Sequence, residues 1–349
     1  MAKIEGQRKL SRRDELAENI IIVDGFPGCG KTMLSPIMAS LDRVEIASYA
    51  FEIEFICRTY ALGGMSFDAA VALVRMLVDG RLYTNMMGRD VNFRYSDISS
   101  VFNTPQKWKY FRRLFGPGDE QVPTLIQRER PILNFNTHDL CQVGEPLFDA
   151  LSGRLVFINV LRHPVFMLIQ QALNMERLSA DPRDIQIKFE HDGNEVPHFT
   201  AGWEDLYLSS NAVERAIYFM HYAEIKRRQS LQENCQKLGD NFIEIPFEIF
   251  VKDPTKYVKK ICNAVGTAPS HKTTKEMLRQ RVPRTNVVDG IPLSIYKRCG
   301  WTPPQKSLTE KQEYHARRQY AVDQGASKAA LETLDGLSQA YENDHQIFV

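Results

Sequence analysis

Three glycines, a lysine and a threonine carry the first chemistry legible in this chain. Gly25, Gly30, Lys31 and Thr32 satisfy the spacing G-x-x-x-x-G-K-[ST] within Gly25-Phe-Pro-Gly-Cys-Gly-Lys-Thr32. Glycines without a Cβ let successive backbone N–H groups converge on phosphate oxygens. The helix that follows adds its positive end and Lys31 adds a full charge. The Thr32 hydroxyl is suited to a metal or to a phosphate oxygen. Cys29 lies inside this loop, in a field that would lower a thiol pKa, although its size fits a small filler better than a nucleophile. The competing reading is a glycine-rich turn that binds nothing. A strand before the loop and a helix after it argue for phosphate instead.

Those two elements belong to a longer alternation. Ile20–Val23 is a short β-branched run of the kind buried on both faces of a sheet. Further strands are expected at Arg43–Ala47, Pro131–Phe135, Leu155–Leu161 and Phe242–Pro246. Helical patterns fill Met33–Leu41, Phe51–Tyr60, Ser66–Asp79, Thr104–Phe115, Val165–Leu178 and Asn211–Leu238. A helix after Asp253-Pro254 ends at Gly266, another lies near Ala326–Glu342, and Asp192-Gly193 marks a hairpin turn. The implied fold is α/β: a doubly wound, five-stranded parallel sheet with helices on both faces and a helical C-terminal extension. Residues 1–17 are expected as a flexible tail. Residues 18–349 form a single domain, with its core over 19–266 and the extension over 267–349. Ligands of such sheets bind at the carboxyl ends of the strands. Besides the loop, this singles out Thr137–Asp139, Arg162–Pro164 and Phe247–Glu248.

Composition narrows the function classes. Of 349 residues, 44 are Lys or Arg and 43 are Asp or Glu, a net charge of +1 that gives no global basic field for nucleic acid. The six cysteines form no C-x-x-C pair, so neither a disulfide framework nor a zinc site is expected and a reducing, cytoplasmic setting fits. No apolar run reaches the roughly 18 residues of a membrane span, and no membrane partner is expected. Lys107, Lys109, Arg112 and Arg113 could face a substrate or form a solvated helix face. Arg279, Arg281 and Arg284 could clamp an anion or sit at a solvated helix end.

Taken in order, the segments resemble the sulfotransferase superfamily, whose donor is 3′-phosphoadenosine 5′-phosphosulfate (PAPS). The resemblance rests on Phe26-Pro-Gly-Cys-Gly-Lys-Thr32 after the first strand and Thr137-His138 after a middle one. It continues with Arg162-His-Pro164 after the next strand, then Pro246-Phe-Glu248 through Asp253-Pro254 to Val265-Gly266. It implies that the loop residues Gly25, Gly28, Cys29, Gly30, Lys31 and Thr32 bind the 5′-phosphosulfate, with Lys31 stabilising the transferring group. It implies that Arg162 binds the 3′-phosphate, helped by Gln170 and Arg298, and that His138 is the general base toward a hydroxyl or amine acceptor. That acceptor would be a small molecule or a glycan, and no metal ligand is implied. The family's loop lysine falls on Gly28, and its Asp and Ser after R-x-P fall on Phe166 and Gln170. Lys297-Arg298-Cys299-Gly300 stands loosely for its late R-K-G.

The same loop also resembles the G-x-P-G-x-G-K loop of adenylate-kinase-like phosphotransferases, which implies Mg-ATP as the alternative donor. Such enzymes need an acid near the metal, for which the chain offers Asp24 before the loop and Asp139 beyond the third strand. A catalytically silent nucleotide-binding scaffold is the third reading. The sequence leaves the oligomeric state open.

Overall fold

In the computed structural model, residues 8–97, 99–116, 118–177, 181–182, 185–288 and 308–347 are described. A parallel sheet of five strands runs in the order β2 (Ser48–Tyr49), β3 (Ile132–Asn136), β1 (Asn19–Asp24), β4 (Leu155–Leu161), β7 (Phe242–Pro246). An antiparallel hairpin, β5 (Lys188–His191) and β6 (Asn194–Pro197), turns at Asp192-Gly193. The first half of the chain adds helices α1 (Lys31–Met38), α2 (Phe51–Ala61), α3 (Phe67–Met86), α4 (Lys107–Arg113), α5 (Val122–Glu129) and α6 (Glu145–Leu151). Then come α7 (Pro164–Arg177), α8 (Glu204–Ser209), α9 (Ala212–Glu233), α10 (Phe247–Lys252), α11 (Thr255–Val265) and α12 (His271–Arg279). The last two are α13 (Glu310–Asp323) and α14 (Lys328–His345).

The alternation of β1 explains the two-sided core. Ile21 and Val23 join a cluster with Leu34 and Ile37 of α1, Leu168 of α7, Ile217 of α9 and Ile261 of α11. Ile20 and Ile22 join a second cluster with Ile53 of α2, Val74 of α3, Ile126 of α5 and Phe148 of α6. Successive side chains point to opposite faces, so a strand apolar at every position must be covered twice. The expected doubly wound sheet is what forms. Both flanks of β1 are parallel neighbours, β3 on one side and β4 on the other. The chain therefore crosses from one side of β1 to the other between β3 and β4, and the crevice at the strand ends lies there.

Three expectations shift. Arg43–Ala47 makes a single bridge, Val44 to Ile132, and the strand proper is the later Ser48–Tyr49. Arg43 is left-handed at φ 62, and the Ile46 amide donates to the Tyr110 hydroxyl at 2.6 Å instead of to the ladder. Helix α3 runs through Gly80 to Met86, because Val78, Leu82 and Met86 bury one stripe in the second cluster. That burial outweighs the cost of about 1 kcal/mol for a glycine in a helix. At the N-terminus, Leu10 N donates to Asp68 and the Leu16 and Ala17 amides donate to Asp79, so this part of the expected tail is bound to α3. The C-terminal helices pack back on the core: Arg317 of α13 donates to Phe166 O of α7 at 2.5 Å. No helix among the described residues is long and apolar enough to cross a membrane.

Candidate active site

The glycine-rich loop follows β1, as the strand–loop–helix reading expects. Gly28 and Gly30 adopt φ 86 and 112, conformations that side chains disfavour. Side chains also crowd both. A Cβ on Gly28 would stand 2.4 Å from Gln170 Oε1, and one on Gly30 would stand 2.3 Å from the Phe247 ring. At position 28, to which the resemblance assigns a lysine, the positive φ disfavours a side chain and Gln170 would have to move to admit one. Gly30 brings no capping side chain to α1, so its first-turn amides have no partner within the helix, the Lys31 amide meeting only the Cys29 sulfur. A cradle of amides closed by glycines fits an anionic phosphate group.

Lys31 is 6% exposed, and its ammonium bends back over the loop onto the carbonyls of Gly25 and, at 3.1 Å, Phe26. Cys29 is fully buried, and burial pushes its thiol up against the opposing pull of Lys31. The lowering expected from the loop field is overturned, and the filler role stands.

His138 follows β3, and its environment is built by α2. Glu54 Oε1 accepts from the His138 backbone amide at 2.9 Å and lies 3.0 Å from Nδ1. Arg58, one turn on, ion-pairs with Glu54 at 3.0 Å and donates to His138 O at 2.8 Å. A carboxylate on Nδ1 fixes the proton there and leaves Nε2 as the free acceptor. Burial, then the nearby Lys31 charge, hold the imidazole below its usual pKa of 6.5, with Glu54 pulling the other way. Tyr49 and Phe51 lie parallel to the ring, at centroid distances of 6.0 and 6.2 Å.

Asp24 joins the two loops. Its carboxylate, 0% exposed, accepts from Thr137 Oγ1 at 2.7 Å, Leu140 N at 3.1 Å and Cys141 N at 3.0 Å. This leaves the acid that precedes the loop engaged in structure. Asp139, left-handed at φ 59, has its carboxyl pushed up to about 7 by burial, against the lowering from Arg58 and Lys31.

On the β4 side, Arg162 Nη1 donates to Gly28 O at 2.8 Å, and its guanidinium stands 4.6 Å over the Phe247 ring. Arg284, expected in a basic trio, stands 5.5 Å from the same ring. Two guanidiniums thus share the aromatic ring that also closes Gly30. Gln170 packs on Gly28, and its neighbour Gln171 donates to Pro27 O at 2.6 Å. Glu248 braces this edge: it accepts from His163 N at 3.2 Å and from the Tyr341 hydroxyl of α14 at 2.6 Å, with Arg162 Nε 4.0 Å away. Arg298 and the surrounding Tyr296–Trp301 cluster lie outside the described residues.

The helical basic run splits. Lys109 and Arg113 bind Glu45, which is 0% exposed, at 2.6 and 2.8 Å, while Lys107 and Arg112 are exposed. Beside the loop, an apolar pocket opens between Thr32, Ser35, Pro36 and Ala39 of the loop helix, Ile46, Ala47 and Tyr49 at the sheet edge, and the segment from Ser99 to Pro105. Gly25, Gly28, Cys29, Gly30, Lys31, Thr32, His138, Arg162 and Gln170 therefore gather at one edge of the sheet. Sequence reasoning missed Glu54 and Arg58. Their i, i+4 spacing on a helix was the available signal, but nothing in it pointed to His138.

No family model matches the chain, and no curated protein does. Solved structures similar to it include the sulfotransferase domain of the Synechococcus PCC 7002 olefin synthase, at 12% identity and TM-score 0.40, covering 91% of this chain and 98% of that one. The sulfotransferase domain of the curacin biosynthetic pathway matches at 12% identity and TM-score 0.41, over 87% and 97%. A sulfotransferase of Mycobacterium avium matches at 13% identity and TM-score 0.43, over 95% and 78%. At that level of likeness, function has to be read from the chain's own residues.

Proposed function

We propose that this chain transfers a sulfuryl group from PAPS to a hydroxyl or amine of a small-molecule or glycan acceptor. The observation that carries the reading is the Glu54–His138 pair beside the phosphate loop. With Nδ1–H committed to Glu54 and the pKa held below 6.5, His138 is neutral at neutral pH and its Nε2 can take the acceptor's proton. Bound donor would supply the sulfuryl group and the nucleotide leaving group. The loop amides and Lys31 would hold the anionic oxygens, where fixed dipoles and charge stabilise a transition state without reorganising. Arg162 and Arg284, both over the Phe247 ring, offer cationic groups for a second, 3′-phosphate. The cytoplasm, where free thiols persist, is the compartment we assign.

A phosphotransferase using Mg-ATP is the second reading, favoured by the intact Gly30-Lys31-Thr32 and by Asp139, whose Oδ1 is buried with no hydrogen-bond partner among the described residues. The engagement of Asp24 by three donors weighs against it. Calorimetric titration with adenosine 3′,5′-bisphosphate and with Mg-ATP, each with and without EDTA, separates the two. The expected result is tight, chelator-insensitive binding of the bisphosphate that Lys31→Ala abolishes. Preference for Mg-ATP, lost in EDTA, would transfer the assignment to the kinase class.

A further inference from the structure

The outer face of α4 is built unlike a solvated helix. Trp108, Phe111 and Phe115, at i, i+3 and i+7 along α4 and the turn that closes it, share one stripe. Trp108 is 67% and Phe115 89% exposed. Phe102 and Tyr95 extend the stripe sideways. Ring centroids lie 5.6 Å apart from Trp108 to Phe111, 5.8 Å from Phe111 to Phe102, and 5.5 Å from Phe102 to Tyr95. Phe111 leans on the small core of Ile46, Val101 and Tyr110, but Trp108, Phe115, Phe102 and Tyr95 belong to no core cluster. The inner face of α4 is occupied by Tyr110, 1% exposed, and by Lys109 and Arg113, which hold Glu45.

Cations rim the stripe. Lys107 Nζ stands 5.6 Å over the Trp108 ring, and Lys107, Arg112 and Arg94 are exposed. Of the five Lys and Arg across residues 92–116, Lys109 and Arg113 are held by Glu45 and Arg94 pairs with Asp97 at 3.1 Å, so that among the described residues Lys107 and Arg112 supply the positive charge of the rim. Exposed tryptophan, phenylalanine and tyrosine among basic residues is the composition that settles at the headgroup level of an anionic bilayer. A second copy of the chain is a poor occupant, since a two-fold contact would set the same positive rim against itself. The stripe also borders the apolar pocket: Ser99, Ser100, Asn103 and Thr104, which line it, lie on the segment that carries Phe102.

We propose that this aromatic–basic stripe is a peripheral docking surface for an anionic phospholipid bilayer, with Trp108 and Phe115 at headgroup level and Lys107 and Arg112 on the lipid phosphates. The expected absence of a membrane partner rested on the lack of a span, which concerns crossing a bilayer and not resting on one.

The test uses the full chain and sedimentation with vesicles of phosphatidylcholine containing about one quarter phosphatidylserine, against phosphatidylcholine alone. Wild type should sediment with the anionic vesicles and less with the neutral ones. Trp108→Ser with Phe115→Ser should weaken partition at least about tenfold at unchanged melting temperature. Lys107→Glu with Arg112→Glu should erase the preference for phosphatidylserine. Failure of wild type to bind, or equal binding by both double variants, would overturn the proposal. So would a wild-type dimer in light scattering that the Trp108/Phe115 variant dissolves, which would assign the stripe to a second copy. Vesicle binding is independent of the reaction catalysed.

Discussion

Glu54 grips His138 twice through one oxygen, which accepts from the backbone amide at 2.9 Å and lies 3.0 Å from Nδ1. The carboxylate thereby sets where the ring lies and which nitrogen is free. His138→Gln should reduce kcat by about a hundred- to ten-thousandfold, the range for loss of a general base. Glu54→Gln should lower it by about a hundredfold through misplacement of the ring.

The pH profile adds a second readout. Because burial and Lys31 hold His138 below 6.5, the acid limb of kcat/KM in wild type should fall below that pH. Glu54 raises the pKa, so Glu54→Gln should move the limb further down. An acid limb above 6.5, or an upward shift in the variant, would remove His138 as the base.

Arg162 touches the loop and faces Phe247, so its removal tests donor identity. A charge-assisted contact to a 3′-phosphate contributes about 1.5–3 kcal/mol, roughly ten- to a hundredfold in affinity. Arg162→Ala should weaken adenosine 3′,5′-bisphosphate by that factor and 5′-AMP much less. Equal losses for the two nucleotides would mean that Arg162 acts only by supporting the Gly28 carbonyl.

Glu45 is the buried charge on which the sheet edge depends. Lys109 and Arg113 overcome the cost of its burial and hold its pKa at about 2. A depressed carboxyl stabilises the fold above its unfolded pKa, 4.5 here, and that contribution is lost as pH falls through about 2. Glu45→Gln should therefore cost about 3 kcal/mol at neutral pH. In urea melts, the gap between variant and wild type should shrink between pH 5 and 2, approximately. A gap that persists unchanged at low pH would show that charge is not its source.

Asp139 carries the opposite sign. Its folded pKa stands at about 7, raised from 3.8, so the carboxyl favours folding while protonated and loses that advantage as pH rises through 7. Asp139→Asn keeps a side chain that tolerates the left-handed φ of 59. It should match wild type at low pH and gain up to about 4 kcal/mol by pH 8. A loss of stability at pH 8 would instead reveal a carboxylate with a binding partner.

The sheet was readable because its central strands are covered on both faces. That burial leaves continuous apolar runs, and Leu155–Leu161 matches β4 residue for residue. The glycine-rich loop was readable for a local reason: the positive φ at 25, 28 and 30 favours glycine, and glycines at fixed spacing are visible in the sequence. Arg43–Ala47 shows the limit of local pattern, since its alternation suits a strand while the Tyr110 hydroxyl, 64 residues away, takes the Ile46 amide.

What the sequence determined by itself was the list of chemical groups at the strand ends, Lys31, His138 and Arg162, because strand–loop–helix order places them on one edge of a parallel sheet. Their electrostatics belonged to the tertiary structure. Glu54 reaches His138 across 84 positions, and Lys109 and Arg113 reach Glu45 across 64 and 68. Lys31 is buried because its own loop carbonyls receive it. Charge interactions depend on distance and burial in space, and neither is encoded in the spacing of residues along the chain.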